Sequence, residues 1–253
     1  MMDADDQIAI RTVGLHKAFG SNRVLRGISI DFPRGTTTVI LGGSGSGKSV
    51  LMKHLIGLLR PDQGQILVEG EDLASLHGEK LTRFRTKFGM VFQWAALFDS
   101  MTVGDNVAFP LREHHPELSD AEIARRVSEK LSMFGLEGTE MKFPADLSGG
   151  MRKRVGLARA IILEPRIVLY DEPTTGLDPI TTNYVDEMIL RAKERLGVTS
   201  VVISHDIGSA FHIADFIAFL YEGEIVAYGP PRELRQSTHP FVSEFLSMWF
   251  GRN

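Results

Sequence analysis

The chain has 253 residues, 43% of them hydrophobic, a formal net charge of −4 and no cysteine. That length supports one large domain or a domain with an inserted lobe, and no stretch approaches the ~20 consecutive apolar residues of a membrane-spanning helix. The missing cysteines exclude disulfides, thiolate metal sites and thiol redox switching, and the net charge gives no whole-surface attraction to nucleic acid.

The N-terminal Met1-Met2-Asp3-Ala4-Asp5-Asp6 is acidic and has neither a basic n-region nor an apolar h-region. It is not expected to be a secretory signal, which keeps the protein in the cytosol. To about residue 90 the pattern suits strands at Ile8 to Leu15, Gly27 to Phe32, Thr37 to Leu41 and Gln65 to Val68. The third of these runs directly into Gly42-Gly43-Ser44-Gly45-Ser46-Gly47-Lys48-Ser49, the form G-x-x-x-x-G-K-[ST], and Val50 to Ile56 continues with helical character. The order is strand, phosphate loop, helix. Glycine at 42, 43, 45 and 47 lets the backbone turn its N–H groups onto an anion without Cβ clashes, and the positive end of the following helix favours the same charge. Lys48 is then expected on the β- and γ-phosphates and the Ser49 hydroxyl on Mg²⁺.

Phe88 to Phe92 suits a further strand, with Gln93 at its end. The apolar stretch Trp94-Ala95-Ala96-Leu97-Phe98 either fills the core or faces a partner, and the second reading is preferred because exposed aromatics anchor interfaces. The pattern from 94 to 164 is helical. Ser119-Asp120-Ala121-Glu122 has capping-box form, Ile123, Val127, Leu131 and Phe134 follow at helical spacing, and Gly135 ends the helix. Ser148, Gly149 and Gly150 open another helix, through Val155, Leu157, Ala158, Ala160 and Ile161, so a hydroxyl and free backbone donors form a second anion site.

From Arg166 the β/α alternation resumes. Ile167 to Tyr170 is continuously apolar, as a buried parallel strand is, and ends in Asp171 and Glu172, which such a strand could not bury unpaired. Ligands of open α/β sheets lie outside the carboxyl ends of the strands, which assigns Asp171 to the metal and Glu172 to the attacking water as general base. Thr199 to Ile203 repeats the pattern, with His205 just past its end where an imidazole can hold the γ-phosphate and the water. A helix near Ile207 to Asp215 follows. Phe216 to Leu220 and Glu224 to Tyr228 bracket Tyr221-Glu222-Gly223 as a hairpin. The last helix candidate sets Phe241, Phe245, Trp249 and Phe250 largely on one face, either for its own domain or for a second copy, a permease or a membrane.

Leu147-Ser148-Gly149-Gly150-Met151 resembles the LSGGQ signature of ATP-binding-cassette (ABC) ATPases, with Met151 in place of the usual glutamine. The resemblance implies that Ser148, Gly149 and Gly150 complete the nucleotide site of an opposite subunit, so a homodimer closes head to tail over two ATP molecules. It also implies that Gln93 is the Q-loop residue touching Mg²⁺ and water, that Phe19 is the aromatic stacking on adenine where tyrosine is commoner, and that Asp178, in Gly176-Leu177-Asp178-Pro179, lies in the D-loop along the dimer seam.

Over nearly its whole length the chain is similar to the ATPases of lipid transporters of the Mla (maintenance of lipid asymmetry) and Mce type, whose permeases belong to the MlaE family. The most specific parts are 92–103, 105–114, Met151 and Asp178-Pro179-Ile180-Thr181. The implied fold is α/β: a P-loop core with a mainly parallel sheet (1–93 and 165–253), an antiparallel N-terminal β part and an inserted helical subdomain (94–164). The implied protein is a homodimeric ATPase, peripheral on the cytoplasmic side of a bacterial inner membrane, with an MlaE-type permease and an Mce-domain subunit as partners and no nucleic acid. Two readings stand beside it. A polar amino-acid importer would share every catalytic residue, and a soluble ABC ATPase of repair or the ribosome would need heptad arms or a second cassette, which this sequence lacks.

Overall fold

The structure, a computed structural model, describes residues 7–251. The segment Met1 to Asp6 and the Phe250 side chain lie outside the described residues. Strand β1 (Ile8–Phe19) pairs antiparallel with β2 (Asn22–Pro33). The all-buried β3 (Thr37–Leu41) leads to helix α1 (Lys48–Leu55), after which β4 (Gln63–Val68) and the short β5 (Glu71–Asp72) complete a sheet of order β2-β1-β4-β5. Strand β1 runs past Leu15 because the ladder, not apolarity, sets its length: Lys17 pairs with Leu25, and Phe19 with Asn22.

Helix α2 (Gly78–Arg85) precedes β6 (Phe88–Val91), and three helices follow: α3 (Val103–His114), α4 (Asp120–Met133) and α5 (Gly149–Ile161). Ser119 caps α4 by accepting from the Glu122 N–H at 3.3 Å, but only this half of the capping box forms, because the Glu122 carboxylate turns to Arg125 and Arg126. Then come β7 (Ile167–Asp171), α6 (Pro179–Leu196), β8 (Thr199–Ser204), α7 (Ile207–Ile213), β9 (Phe216–Tyr221), β10 (Glu224–Gly229), α8 (Pro231–Leu234) and α9 (Pro240–Phe250). The second sheet has the order β10-β9-β3-β8-β7-β6, parallel except for the β9–β10 hairpin at its edge. That hairpin turns through Glu222 and Gly223, both at positive φ, as a tight two-residue turn requires.

Alternate residues of the parallel strands feed two separate cores, as the two-residue period of a strand dictates. Ile40, Leu169, Ile203 and Leu220 point to α1 and the antiparallel sheet, while Val39, Leu41, Tyr170, Val202 and Phe219 point to the helices that carry Val107, Leu131, Val155 and Ile189. The parallel sheet is the middle of three layers. Its strands carry no charge until Asp171, at the end of β7. Among the described residues no helix is long and apolar enough to cross a membrane.

The opposite ends of these strands are tied by one carboxylate. Glu69, in the β4–β5 turn with its side chain 9% exposed, meets Arg34 at 2.8 Å, Arg166 at 3.0 Å and Lys87 at 3.3 Å. Burial alone would raise its pKa, but the hydrogen bonds from Arg34, Arg166 and Lys87 prevail and bring it to about 2. Since the folded value lies below the usual 4.5, this stabilisation is complete above that pH and fades as pH falls toward about 2. Glu69→Gln is expected to cost ~2–3 kcal/mol at pH 7. In urea denaturation the deficit should shrink steadily below pH 4 or so, and a constant deficit down to pH 2 would exclude this account.

Candidate functional site

The turn from β3 into α1 is held from behind. Gly42 lies so close to β9 that a Cβ there would stand 2.3 Å from the Leu220 carbonyl oxygen and 2.8 Å from Ser46 Oγ. No side chain fits in that space. Gly47 caps α1 at φ 107, a conformation open to glycine. The Lys48 ammonium curls back over the loop and donates to the Gly42 carbonyl at 2.8 Å and the Gly43 carbonyl at 2.9 Å. Its burial lowers its pKa, while the nearby Glu172 and Asp171 carboxylates act the other way.

A cavity of about 560 Å³ opens over this loop, lined by Ser44 to Val50, Gln93, Glu172, Thr175, His205 and Val24. Segments far apart in the chain therefore meet on one surface. Glu172 follows β7 at φ 49, a left-handed conformation unusual for a side-chain-bearing residue. Its N–H donates to the Ile203 carbonyl of β8 at 2.9 Å, which fixes the strained backbone. The carboxylate Oε2 accepts from the Thr175 hydroxyl at 3.0 Å and meets His205 Nδ1 at 2.8 Å. Asp171, one residue earlier, is half-buried and outside the lining. Burial and then the Glu172 charge raise its pKa, against the pull of Lys53 and Lys48.

Phe19 is not a core residue. It is 48% exposed beside the β1–β2 turn with the Lys17 ammonium 5.5 Å from its ring centre. It does not line the cavity, whereas Val24, just across the hairpin, does. Ser148, Gly149, Gly150 and Asp178 are gathered elsewhere, around a second cavity of about 440 Å³. Ser148 caps α5, accepting from the Met151 N–H at 3.3 Å, and Asp178 caps α6, accepting from the Ile180 and Thr181 N–H groups at 3.0 and 3.1 Å. One chain thus presents these residues around two separate cavities.

Four side chains that the motifs do not reveal hold the site and the segment beside it together. Thr175 grips Glu172, as above. Buried Lys153 of α5 donates to the Pro173 carbonyl at 2.6 Å and the Thr175 carbonyl at 3.0 Å. Arg159 of the same helix donates to the Ala95 and Ala96 carbonyls at 2.7 and 2.8 Å, and both alanines have positive φ. On the far side of this segment, the fully buried Asn106 amide takes the Phe98 N–H at 2.8 Å and donates to the Phe98, Met101 and Thr102 carbonyls. Only Thr175, three residues past Glu172 in the same loop, left a local signal. Beyond Gln93, Trp94 is 79% exposed, and Phe92, Phe98 and Phe109 line a groove of about 410 Å³. Of this stretch Ala95 packs inside, and the large aromatics face out.

A phosphate loop between a buried parallel strand and a helix, with a carboxylate at the end of a parallel strand nearby, defines a P-loop nucleoside-triphosphate hydrolase. Residues 25–175 match the ABC transporter family. The chain is 45% identical over 240 residues to a protein of Mycobacterium leprae named as a probable ribonucleotide transport ATP-binding protein, covering 95% of this chain and 69% of the relative. It is 41% identical over 227 residues to MlaF of Escherichia coli K12, the ATP-binding protein of an intermembrane phospholipid transport system, covering 90% and 84%. An ATP-binding cassette solved as a dimer with ADP and Pi superposes with a TM-score of 0.80 at 31% identity, over 87% of this chain and 98% of that one. This protein belongs to the ABC transporter family, as an ATP-binding subunit whose reaction is ATP hydrolysis. Cassettes of this family pair with one another and work with membrane permeases.

Gly42→Ala is expected to push the loop off Leu220. Overpacking of this kind costs ~1–3 kcal/mol of stability, readable by denaturant titration, and Mg-ATP affinity should fall with it. Wild-type stability together with wild-type affinity would mean that the loop can move freely away from β9.

Proposed function

We propose that this chain is the ATPase subunit of a lipid transporter, working as a homodimer against an MlaE-type permease and its Mce-domain subunit on the cytoplasmic side of a bacterial inner membrane. The observation that carries the reading is the aromatic groove beside Gln93. The stretch most like the Mla-type ATPases is the one that turns Trp94, Phe92 and Phe98 outward, and similarity on a docking surface speaks to the partner.

ATP fits the first cavity by charge and by donors: the loop N–H groups and the Lys48 ammonium. Among the described residues no group of three or more His, Asp or Glu could hold a metal by itself. Mg²⁺ takes few protein ligands and relies on phosphates and water. Ser49, Gln93 and Asp171 would hold it, and when bound it neutralises charge on the β- and γ-phosphates.

In this reading Lys48 and the loop N–H groups hold the phosphates, and Phe19 covers the adenine. Ser148, Gly149 and Gly150 of a second copy face the same nucleotide across the seam, with Asp178 beside them. Glu172 takes the proton of the attacking water as general base, oriented by the Thr175 hydroxyl. His205 holds the γ-phosphate and the water. Hydrolysis removes the charge that bridges the two halves, and they part.

Glu172→Gln is expected to slow turnover by ~10²–10⁴-fold while ATP still binds; equal turnover would refute the assignment. Gentle solubilisation of the tagged chain from its native membranes tests the partner. Recovery of an MlaE-type permease, an Mce-domain subunit and phospholipid is the expected result. A permease of another kind, such as one for nucleotides or amino acids, would overturn the substrate and leave the ATPase mechanism standing.

A further inference from the structure

The C-terminal aromatic helix has a place that the catalytic scheme leaves unused. Its first turns lie along β9: the Phe241 ring stacks on Tyr221 at 4.1 Å between centres, Phe245 stands edge-on to Phe219 at 5.7 Å, and Val242 and Leu246 are buried. Its last turn reaches the start of α7. A Cβ on Gly208 would stand 2.8 Å from Cζ2 of Trp249 and 3.2 Å from Cη2, so the indole edge, on a side chain 46% exposed, would have to shift to admit any other residue.

Gly208 is the second residue of α7 and lies three residues after His205. Asp206 between them caps that helix, accepting from the Ser209 N–H at 3.2 Å. The His205 side chain is 60% exposed, and apart from its 2.8 Å contact with Glu172 little fixes the ring directly. Its position follows the backbone of the short turn between β8 and α7, and Trp249 bears on that turn from outside. Glycine is among the poorest helix formers, so propensity does not account for it at this position, whereas room for the indole does.

We infer that Trp249 is a positioning residue for hydrolysis: by seating on Gly208 it sets the first turn of α7 and, through it, the reach of His205 toward Glu172 and the nucleotide. The inference rests on the role proposed for His205. It gives α9 a task within its own chain. Trp249 does not line the cavity, so it acts on the rate through placement.

The test is steady-state hydrolysis by the full chain in the membrane complex with which it co-purifies, comparing Gly208→Ala, Trp249→Phe and the double variant. Gly208→Ala is expected to lower kcat ~10-fold with KM for Mg-ATP within ~2-fold, because displacement by a fraction of an ångström disturbs the reacting geometry more than binding. Alanine favours helix more than glycine does, so fraying of α7 cannot produce that loss. Trp249→Phe alone should also lower kcat, by ~3-fold or more, because it withdraws the two ring atoms that seat on Gly208. The double variant should recover to the level of Trp249→Phe, since phenylalanine lacks the two ring atoms that the new methyl strikes, and that non-additivity marks direct contact.

If Gly208→Ala does not fold, Trp249→Ala carries the test with the same expected split between kcat and KM. Wild-type kcat in Gly208→Ala, a loss expressed wholly in KM, or a double variant no better than Gly208→Ala would overturn the inference. His205→Ala, measured in parallel, separates the two readings. If it too hydrolyses at the wild-type rate, the role of His205 falls; if it is inactive while Gly208→Ala is normal, only the role of Trp249 falls.

Discussion

The structure depends on three adjacent parallel strands, β3, β8 and β7, that are buried on both faces and hydrogen-bonded on both edges. Such strands cannot shift register by one residue without exchanging two complete cores. Leu41 is paired with Ser204, and Ile203 with Asp171. The phosphate loop, the His205 turn and Glu172 therefore leave the sheet at one level. Their meeting around one cavity is a property of the ladder, before any side chain in the site makes a bond.

Strain concentrates where this order is handed over to the loops. Glu172 adopts a left-handed backbone and is kept there by its N–H on Ile203 and its carboxylate on Thr175. Gly42 is pressed onto Leu220, and Lys48 is partly desolvated and turned back on its own loop. Each costs free energy that the surrounding sheet must offset. The two cavities differ in kind. The first is a concavity with a lysine and a carboxylate, and the second is a pair of capped helix ends with Arg154 and Asp178 beside them.

The sequence made the sheet legible because burial on both faces leaves a continuous apolar run, and Thr37 to Leu41, Ile167 to Tyr170 and Thr199 to Ile203 carry it. The spacing of the loop residues carried the first cavity. Other parts left no such trace. Helix α2 buries Phe84 alone, too little for a periodic signal, and β5 is two residues long. Arg159 and the carbonyl of Ala95 are 64 residues apart, and nothing local announces that a charged side chain on a helix will close on two backbone carbonyls. Phe19 had the right residue type, yet its exposed perch at the end of β1 depends on ladder pairing that composition does not encode.

The stretch from Gln93 to Met101 lacks helix and strand, yet it is not loose, because Arg159 and Asn106 hold its backbone from opposite sides. Through Arg159 it is fastened to α5, a rod of 13 residues about 20 Å long, whose other end is the cap at Ser148. Between the two ends, Gly156 leaves room for Ala95 to pack against the helix, so the aromatic groove and the Ser148 cap are joined by one continuous run of contacts.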